Sequence, residues 1–414
     1  MKSLTIVIPA LNEEEAIGGT ISRCLAARES IRSAAGVSLI EIIVVSDGST
    51  DRTAEIARSF TDIKVIVFEH NRGYGAAIKE GWRQGSGDLL GFLDADGTCD
   101  PQFFGTMARA AISESADVVV GSRLGPDSRM PALRRLGNRV YALLLGFLCG
   151  HHVTDTASGM RVVRPAALRH LLPLPDGLHF TPAMSARALL NDLRVIEIPM
   201  KYHERIGRSK LSVVRDGISF LRAILSGVLC YRPEKIFLTG FAVCVAVSIP
   251  LAAYPAEFYF ANGRVEEWMI YRFVACFLLG AFGLLLLLAT ALANQTASLS
   301  TRRLEATTFW PGLISDVLHR GTVLGLLIAI LLSGALYFLW PGLVELTTTG
   351  QVYMHWSRLL GGAFAVFSIG QIVVFAVLFK MVETWQEQRL SRGRSSSAEE
   401  MEAHPPVPSG ANVR

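Results

Sequence analysis

Residues 89–97 read LLGFLDADG, five apolar residues followed directly by two aspartates that are one residue apart. A short apolar run that stops at a turn is typical of a buried strand in a parallel sheet. This pattern puts Asp94 and Asp96 at the carboxyl end of such a strand. Loops at that edge of an open α/β sheet are where ligands bind.

Further runs on both sides of this strand repeat its pattern. They lie at residues 4–8, 40–45, 64–68 and 118–120. Residues 13–27 and 49–60 carry apolar residues at helical spacing, and the second segment opens with the capping residues Ser49, Thr50 and Asp51. Strands that alternate with helices predict an α/β sheet.

Three polar loops leave the ends of predicted strands. They are residues 9–13 (PALNE), 46–51 (SDGSTD) and 94–97 (DADG). Because the carboxyl ends of parallel strands meet at one edge of the sheet, we expect these loops to line a single crevice.

The second half of the chain is much more apolar than the first. Half of the 414 residues are hydrophobic, and the long uncharged stretches are concentrated in residues 236–382. Four of them, at residues 236–254, 273–293, 321–344 and 359–379, approach or exceed the roughly 20 residues that cross a bilayer. The sequence therefore predicts a soluble α/β domain followed by four transmembrane helices.

Charge and cysteine content argue against other classes of protein. A net charge of +4, from 40 basic and 36 acidic residues, is too balanced to indicate nucleic-acid binding. The six cysteines include no C-x-x-C pair, so neither a zinc site nor a disulfide framework is indicated, and a reducing compartment fits best. The first apolar run is too short for a signal peptide. We expect the α/β domain to lie in the cytoplasm.

Basic residues between the predicted spans indicate the orientation in the membrane. The connection between the second and third spans carries Arg302, Arg303 and Arg320, whereas the next connection has almost no basic residue before Arg358. The positive-inside rule then puts both termini in the cytoplasm. Residues 383–414 lack apolar periodicity and are rich in serine and proline, which predicts a disordered tail.

Two segments combine basic and apolar residues. Residues 213–229 have an apolar stripe at helical spacing, which favours an interfacial helix on the bilayer over a packing helix of the soluble core. The stripe consists of Val214, Ile218, Leu221, Leu225 and Val228. Arg134, Arg135 and Arg139 precede the apolar residues 141–148, for which we expect a core helix.

Asp94 and Asp96 are the candidate metal ligands. A D-x-D sequence alone occurs in many surface loops, but carboxylates at the end of a buried strand repel one another unless a cation compensates them. Oxygen ligands suit Mg²⁺ or Mn²⁺, and two donor phosphates would complete the coordination shell.

Two further features are candidates for binding a donor. Asp47 lies on a strand-to-helix turn, where it can accept a hydrogen bond from a nucleobase or cap the following helix, and both interpretations stay open. Residues 71–77 (NRGYGAA) resemble a phosphate-cradling glycine loop without its full G-x-G-x-x-G spacing. The histidines His151, His152 and His203 lack metal-ligand spacing and are interpreted as ordinary polar positions.

Seven segments together resemble the family 2 glycosyltransferases, specifically the dolichol-phosphate mannosyltransferase and polyprenyl-phosphate glycosyltransferase group. In chain order they are residues 9–13, 47–51, 71–77, 94–97, 121–123 (GSR), Asp155 with 158–161 (SGMR), and 205–210 (RIGRSK). The resemblance covers about residues 1–215. It implies a GT-A fold, inverting transfer from a nucleotide sugar, and a polyprenyl or dolichyl phosphate acceptor.

The resemblance also implies roles for individual residues. The nucleotide donor would be contacted by Pro9, Leu11, Glu13, Asp47, Gly73 and Gly75. The metal would be bound by Asp94, Asp96 and Thr98, and phosphates would be contacted by Arg123, Arg205, Ser209 and Lys210. Three positions depart from the family pattern and bear on base choice and metal geometry: Leu11 replaces a frequent tyrosine, Ser46 replaces the first aspartate of a pair, and Thr98 occupies a place that can hold a further metal ligand.

The chemistry of the acceptor supports the same interpretation. A sugar hydroxyl needs a general base, but a phosphate monoester is already anionic near neutral pH, since its second pKa is about 6. Catalysis can then consist of positioning and of stabilising the departing diphosphate. Arg205, Arg208 and Lys210 supply cations just before the interfacial helix. A patch for anionic lipid headgroups is the alternative.

The sequence thus predicts a membrane-anchored hexosyltransferase at the cytoplasmic face. Its domains are a GT-A domain (1–208), juxtamembrane helices (209–235), a transmembrane domain (236–382) and the tail (383–414). The expected cofactor is Mg²⁺ or Mn²⁺, and the expected partners are a nucleotide sugar such as GDP-mannose or UDP-glucose, a polyprenyl or dolichyl phosphate, and the lipid bilayer. A homo-oligomer stays open.

Two other functions are weaker fits. A membrane polysaccharide synthase would carry a Q-x-x-R-W motif, and the sequence contains no Arg-Trp pair. A translocator of lipid-linked sugars, with the α/β domain as a donor-binding regulator, would carry charge inside its spans, and the predicted spans contain essentially none.

Overall fold

The computed structural model of the protein describes residues 2–125, 128, 130–150, 153–206, 213–300 and 309–403. The chain divides into two units, Met1–Tyr231 and Arg232–Arg414. The described residues 213–231, which the sequence assigned to the juxtamembrane region 209–235, belong to the first unit.

A seven-stranded mixed sheet forms the centre of the first unit. The strands are β1 (Lys2–Ala10), β2 (Val37–Asp47), β3 (Lys64–Phe68), β4 (Leu89–Leu93), β5 (Val118–Ser122), β6 (Met160–Val163) and β7 (Val195–Pro199). Their order is β3-β2-β1-β4-β6-β5-β7, and only β6 runs antiparallel to its neighbours. This GT-A-like arrangement confirms the predicted fold class.

The described residues of the first unit form eight helices beside the sheet: α1 (Ile17–Ala35), α2 (Thr53–Arg58), α3 (Tyr74–Gln84), α4 (Phe103–Ser113), α5 (Ala132–Cys149), α6 (Pro165–Leu171), α7 (Phe180–Leu190) and α8 (Val213–Tyr231). Both faces of the sheet are buried. Ile6 and Ile42 pack into the cluster formed with α1 and α4, whereas Val7 and Ile43 face the opposite cluster, which includes residues of α3 and α7. This alternation explains why the strands read as continuous apolar runs.

The order of the strands places the crevice. β1 pairs with β2 on one side and with β4 on the other, both in parallel. The connections after β1 and β4 therefore leave the same edge of the sheet in opposite directions, which is the arrangement that opens a ligand crevice between neighbouring strands.

Helix α5 differs from the predicted core helix. Its side chains at Asn138, Leu145 and Leu148 are buried, but a second apolar row points outward. That row consists of Leu133, Leu136, Val140, Leu143 and Phe147, each more than half exposed. The core therefore covers only part of the apolar surface of this helix. We call these five exposed residues the α5 outer face.

Helix α8 packs on the core along one side, and its predicted position on the bilayer surface stays a prediction. Ile224 and Val228 are buried, and Gly227 approaches Leu190 of α7, so one side packs on the core. Ile218 and Leu221 are exposed on the other side. The side chain of Val214 lies outside the described residues.

The second unit is helical: α9 (Pro233–Asn262), a 3₁₀ turn (Glu267–Met269), α10 (Ile270–Ser300), α11 (Phe309–His319), α12 (Gly321–Thr349) and α13 (Trp356–Ala403). Within the part of the chain that the structure describes, four helical segments are long and apolar enough to cross a membrane, as predicted: Pro233–Asn262, Glu267–Ala297, Gly321–Thr349 and Trp356–Gln388.

Helix α13 continues well past the predicted start of the disordered tail. It remains helical through Ala403, where disorder was expected from residue 383. Residues 383–403 include five Glu and three Arg, which favour a helix once the preceding span has nucleated it.

Candidate active site

Asp94 follows β4 directly and is enclosed by two other segments. Its Oδ1 accepts a hydrogen bond of 2.6 Å from the hydroxyl of Tyr74, the first residue of α3. The backbone of Gly159 lies so close that any side chain there would clash with the Asp94 carboxylate. Burial, and then the negative charge of Asp96, raise the pKa of Asp94 to about 7.

Asp96 has a distinct partner on each oxygen. Oδ1 accepts hydrogen bonds from the backbone N–H of Thr98 at 3.1 Å and from its hydroxyl at 2.7 Å. Oδ2 lies 3.2 Å from the guanidinium of Arg205. The hydroxyl of Thr98 thus orients Asp96 in this arrangement, and the predicted ligand role of Thr98 stays a prediction.

Arg205 connects two of the predicted loops. Besides Asp96 it contacts Glu13, with 2.7 Å between Nη2 and Oε1. Its segment is fastened over the DADG turn, because Ile206 donates its N–H to the carbonyl of Asp96 and His203 donates its N–H to that of Thr98. A cation therefore lies between the β1 and β4 loops, at the switch point of the sheet.

The carboxylate of Asp47 forms hydrogen bonds to the backbone of the glycine loop, residues 71–77. Its two oxygens accept the backbone N–H groups of Arg72 and Gly73, at 2.7 and 2.9 Å. The start of α2 is instead organised by Asp51, which accepts hydrogen bonds from the N–H and hydroxyl of Thr53. Asp47 thus holds the glycine loop, and its predicted contact with a nucleobase stays a prediction.

The glycine loop has a protein partner of its own. The N–H groups of Gly75 and Ala76 donate to the carbonyl of Asp176 at 2.6 and 3.2 Å. Gly73, at φ +106°, also lies against that carbonyl, and a side chain there would collide with it. The carbonyl of Asp176 thus accepts the N–H groups at the start of α3 that a phosphate would need. Phosphate binding by the loop stays a prediction.

Arg123 forms a buried pair with Asp155. Two guanidinium nitrogens and the backbone N–H of Arg123 all donate to the Asp155 carboxylate, at 2.8 to 2.9 Å. Burial acts to raise the pKa of Asp155, but the charge and hydrogen bonds of Arg123 outweigh it and leave that pKa lowered. Asn138 of α5 donates to the same carboxylate. Contact of Arg123 with phosphate stays a prediction beside this structural role.

The remaining predicted residues divide into two groups. Pro9 lies buried at the end of β1, paired with Val45, and Leu11 follows in the same loop. Ser209, Lys210, His151, His152, Arg302 and Arg303 lie outside the described residues. The sequence interpretation gave no role to Tyr74 or Asp176. Tyr74 lies inside a quoted motif, but its acceptor Asp94 is 20 residues away along the chain.

The carboxylates fit a hard divalent cation that also binds phosphates. Among the described residues, no group of three or more His, Cys, Asp or Glu side chains is placed to hold a metal alone. Mg²⁺ is usually held by one or two carboxylates plus substrate phosphates, so two carboxylates suffice. The negative charge of Asp96 raises the pKa of Asp94, and the guanidinium of Arg205 lies beside Asp96. Both observations indicate a site that attracts positive charge.

Comparison with known proteins agrees with the fold. Residues 5–172 match the family model described as Glycosyl transferase family 2. The dolichyl-phosphate hexose transferase of Haloferax volcanii is 30% identical over 223 residues, which are 54% of this chain and 92% of that relative. The undecaprenyl-phosphate 4-deoxy-4-formamido-L-arabinose transferase of Edwardsiella ictaluri is 30% identical over 58% of this chain and 75% of its own length.

Other similarities are more limited. The low-salt glycan biosynthesis hexosyltransferase Agl6 of Haloferax volcanii is 32% identical over 54% of this chain, and the match spans about half (53%) of that relative. Among solved structures, glucosyl-3-phosphoglycerate synthase from Mycobacterium tuberculosis in complex with phosphoglyceric acid is 21% identical, over 55% of this chain and 80% of that chain, with a TM-score of 0.45. The chain belongs to glycosyl transferase family 2, in the group that includes the dolichyl-phosphate and undecaprenyl-phosphate sugar transferases.

Proposed function

We propose that the protein transfers a hexose from a nucleotide sugar to a polyprenyl or dolichyl phosphate at the cytoplasmic face of the membrane, with inversion at the anomeric carbon. The observation that carries this proposal is Arg205, which bridges Glu13 and Asp96 at the switch point of the sheet. One cation is thus shared by the side of the crevice expected to hold the nucleoside and the side expected to hold the diphosphate.

The donor would lie across the ends of β1, β2 and β4. Glu13 and the loop held by Asp47 flank the nucleoside end, and Asp94 with Asp96 lies at the diphosphate end. A divalent cation bound by Asp94 and Asp96 would stabilise negative charge on the departing diphosphate. The residues that line the crevice would orient the donor. Because they also keep the carboxylates largely out of water, they would strengthen the charge interactions in the crevice.

The acceptor would bring its own nucleophile. A lipid phosphate is already anionic near neutral pH, so the crevice needs no residue to remove a proton. Attack by a phosphate oxygen on the anomeric carbon, opposite the departing diphosphate, is a single displacement and inverts the configuration. Arg205, which is three-quarters buried, is placed to attract the acceptor phosphate once a metal and donor compensate Asp96.

Apolar surfaces in the first unit support a lipid acceptor. The α5 outer face and the exposed side of α8 belong to neighbouring helices, since the hydroxyl of Tyr141 in α5 donates to the carbonyl of Gly217 in α8 at 2.7 Å. Chain continuity links α8 to the first membrane-crossing helix through Arg232 alone. Both surfaces suit contact with a bilayer, where lipid-linked phosphate is presented.

The experiment that tests the proposal uses the purified full-length protein in detergent. It is incubated with Mg²⁺ or Mn²⁺, a short polyprenyl phosphate and each of several nucleotide sugars, and lipid products are separated by mass spectrometry. We expect one donor class to give a glycosylated polyprenyl phosphate. Transfer to free oligosaccharide without any lipid product would favour a polysaccharide synthase instead.

The orientation in the membrane is a separate proposal that rests on the arginines between the second and third spans. We expect Arg302→Cys to react with a membrane-impermeant maleimide only when the cytoplasmic face is accessible. Labelling from the outside of intact cells would contradict cytoplasmic termini.

A further inference from the structure

Tyr74 forms a hydrogen bond to Asp94, one of the two proposed metal ligands. Its hydroxyl donates to Asp94 at 2.6 Å, and its ring packs edge-on against Phe92 and Phe180, with centroids 6.5 and 6.4 Å apart. The phenol hydroxyl is the donor in this hydrogen bond, and the carboxylate oxygen of Asp94 is the acceptor.

The backbone on both sides of Tyr74 is fixed. On the preceding side, Arg72 and Gly73 donate their N–H groups to Asp47. On the following side, Gly75 donates to the carbonyl of Asp176. The hydroxyl of Tyr74 is thus held in place by its main chain as well as by its ring contacts.

The opposite side of Asp94 is equally restricted. Gly159 leaves room for the carboxylate because it has no side chain. The turn that presents it is fastened by the fully buried Arg161, whose guanidinium donates to the carbonyls of Thr156 at 2.8 Å and Ser158 at 3.2 Å. Asp94 therefore lies between a hydroxyl donor and a rigid turn.

We propose that Tyr74 is a positioning residue, which holds the Asp94 carboxylate in the one orientation that binds a divalent cation together with a nucleoside diphosphate. The inference rests on the proposed metal and donor site. Without the hydroxyl, repulsion from Asp96 would be free to turn Asp94 away. One accepted hydrogen bond still leaves the carboxylate with lone pairs for a cation. Loss of a residue that orients a metal ligand typically lowers metal affinity or activity about 10- to 100-fold.

The test compares Tyr74→Phe with the wild-type full-length protein in detergent. Mn²⁺ is titrated in the presence of UDP or GDP, and its binding is followed by electron paramagnetic resonance. We expect Tyr74→Phe to bind Mn²⁺ about 10- to 100-fold more weakly, with its melting temperature little changed because both ring contacts remain. Tyr141→Phe is the matched control, since it removes a tyrosine hydroxyl bond from the α5–α8 contact, and should bind Mn²⁺ normally.

A double-mutant cycle shows whether Tyr74 acts through Asp94. In an Asp94→Ala background, Tyr74→Phe should cause no further loss of Mn²⁺ affinity, because the acceptor of its hydrogen bond is gone. Gly159→Ala, which crowds Asp94 from the other side, should weaken Mn²⁺ binding as well and serves if Tyr74→Phe does not fold.

Three results would overturn the inference without contradicting the proposed metal site. They are unchanged Mn²⁺ affinity in folded Tyr74→Phe, an equal loss caused by Tyr74→Phe with and without Asp94, and unchanged affinity in folded Gly159→Ala. Wild-type protein that binds no Mn²⁺ with either nucleotide would overturn the proposed metal site together with this inference. Binding by the wild type alongside an unaffected Tyr74→Phe would contradict the inference alone.

Discussion

At the scale of single residues, a carboxylate in the crevice can hold the protein backbone in place in addition to its expected contact with a donor or metal. Asp47 is 3% exposed, and both its oxygens accept N–H groups from the loop that leads into Tyr74. A change at Asp47 therefore reaches Asp94 through that loop. Loss of a simple nucleobase contact would weaken ground-state and transition-state binding alike and would therefore raise KM without changing kcat. A change at Asp47 should affect kcat as well.

We expect Asp47→Ala to raise the KM for the nucleotide sugar and also to lower kcat, because the loop no longer fixes Tyr74. Steady-state kinetics with saturating acceptor measures both constants. Asp88→Ala is the control: its carboxylate accepts bonds from Ser3 at the amino end of the sheet, far along β1 from the crevice, and kinetics should stay normal. A rise in KM with unchanged kcat would instead indicate a nucleobase contact.

The sequence located the ends of the strands but not the contacts between their loops. Asp94 and Asp96 could be placed because an apolar run stops directly before them. The bridge from Arg205 to Glu13 joins residues 192 positions apart, and no local pattern specifies which acidic side chain a distant arginine selects. Tyr74 was hidden for the same reason, since its role depends on packing between α3 and β4.

At the scale of elements, α5 shows the limit of reading amphipathicity from sequence. Apart from Asn138, the buried side chains are apolar, and so is the outer face. A bilayer favours apolar residues as much as a protein core does. The apolar residues 141–148 therefore predicted a core helix but gave no sign of a second, exposed apolar side. Antiparallel β6 was missed because the charged residue Arg161, which is fully buried, interrupts the apolar run of Met160–Val163, and β7 was missed as well.

We expect the α5 outer face to lie in the lipid interface. A fluorophore attached at Leu143→Cys, in a background with the exposed Cys230 replaced by Ser, should be quenched by spin-labelled lipids after reconstitution into vesicles. Ser113→Cys at the end of α4 is the control and should not be quenched. An unquenched probe at residue 143 would show that this face meets another partner.

At the scale of the whole molecule, the chain joins a nucleotide-sugar type of fold to helices that can cross a membrane. Neither unit alone specifies the reaction. The crevice supports donor binding, and the apolar helices support an acceptor that resides in lipid. In the proposed reaction the acceptor phosphate would unite them, because it would supply the negative charge and the nucleophile at once.

The most direct test therefore compares polyprenyl phosphate with polyprenol of the same chain length. The wild-type protein is given each lipid with the donor it uses, and Asp96→Ala serves as the inactive reference. We predict a glycosylated product only from the phosphate form, and none from Asp96→Ala, because its loss removes charge stabilisation from the departing diphosphate. Equal glycosylation of polyprenol would contradict the account, since a neutral hydroxyl would require a general base that this mechanism does not use.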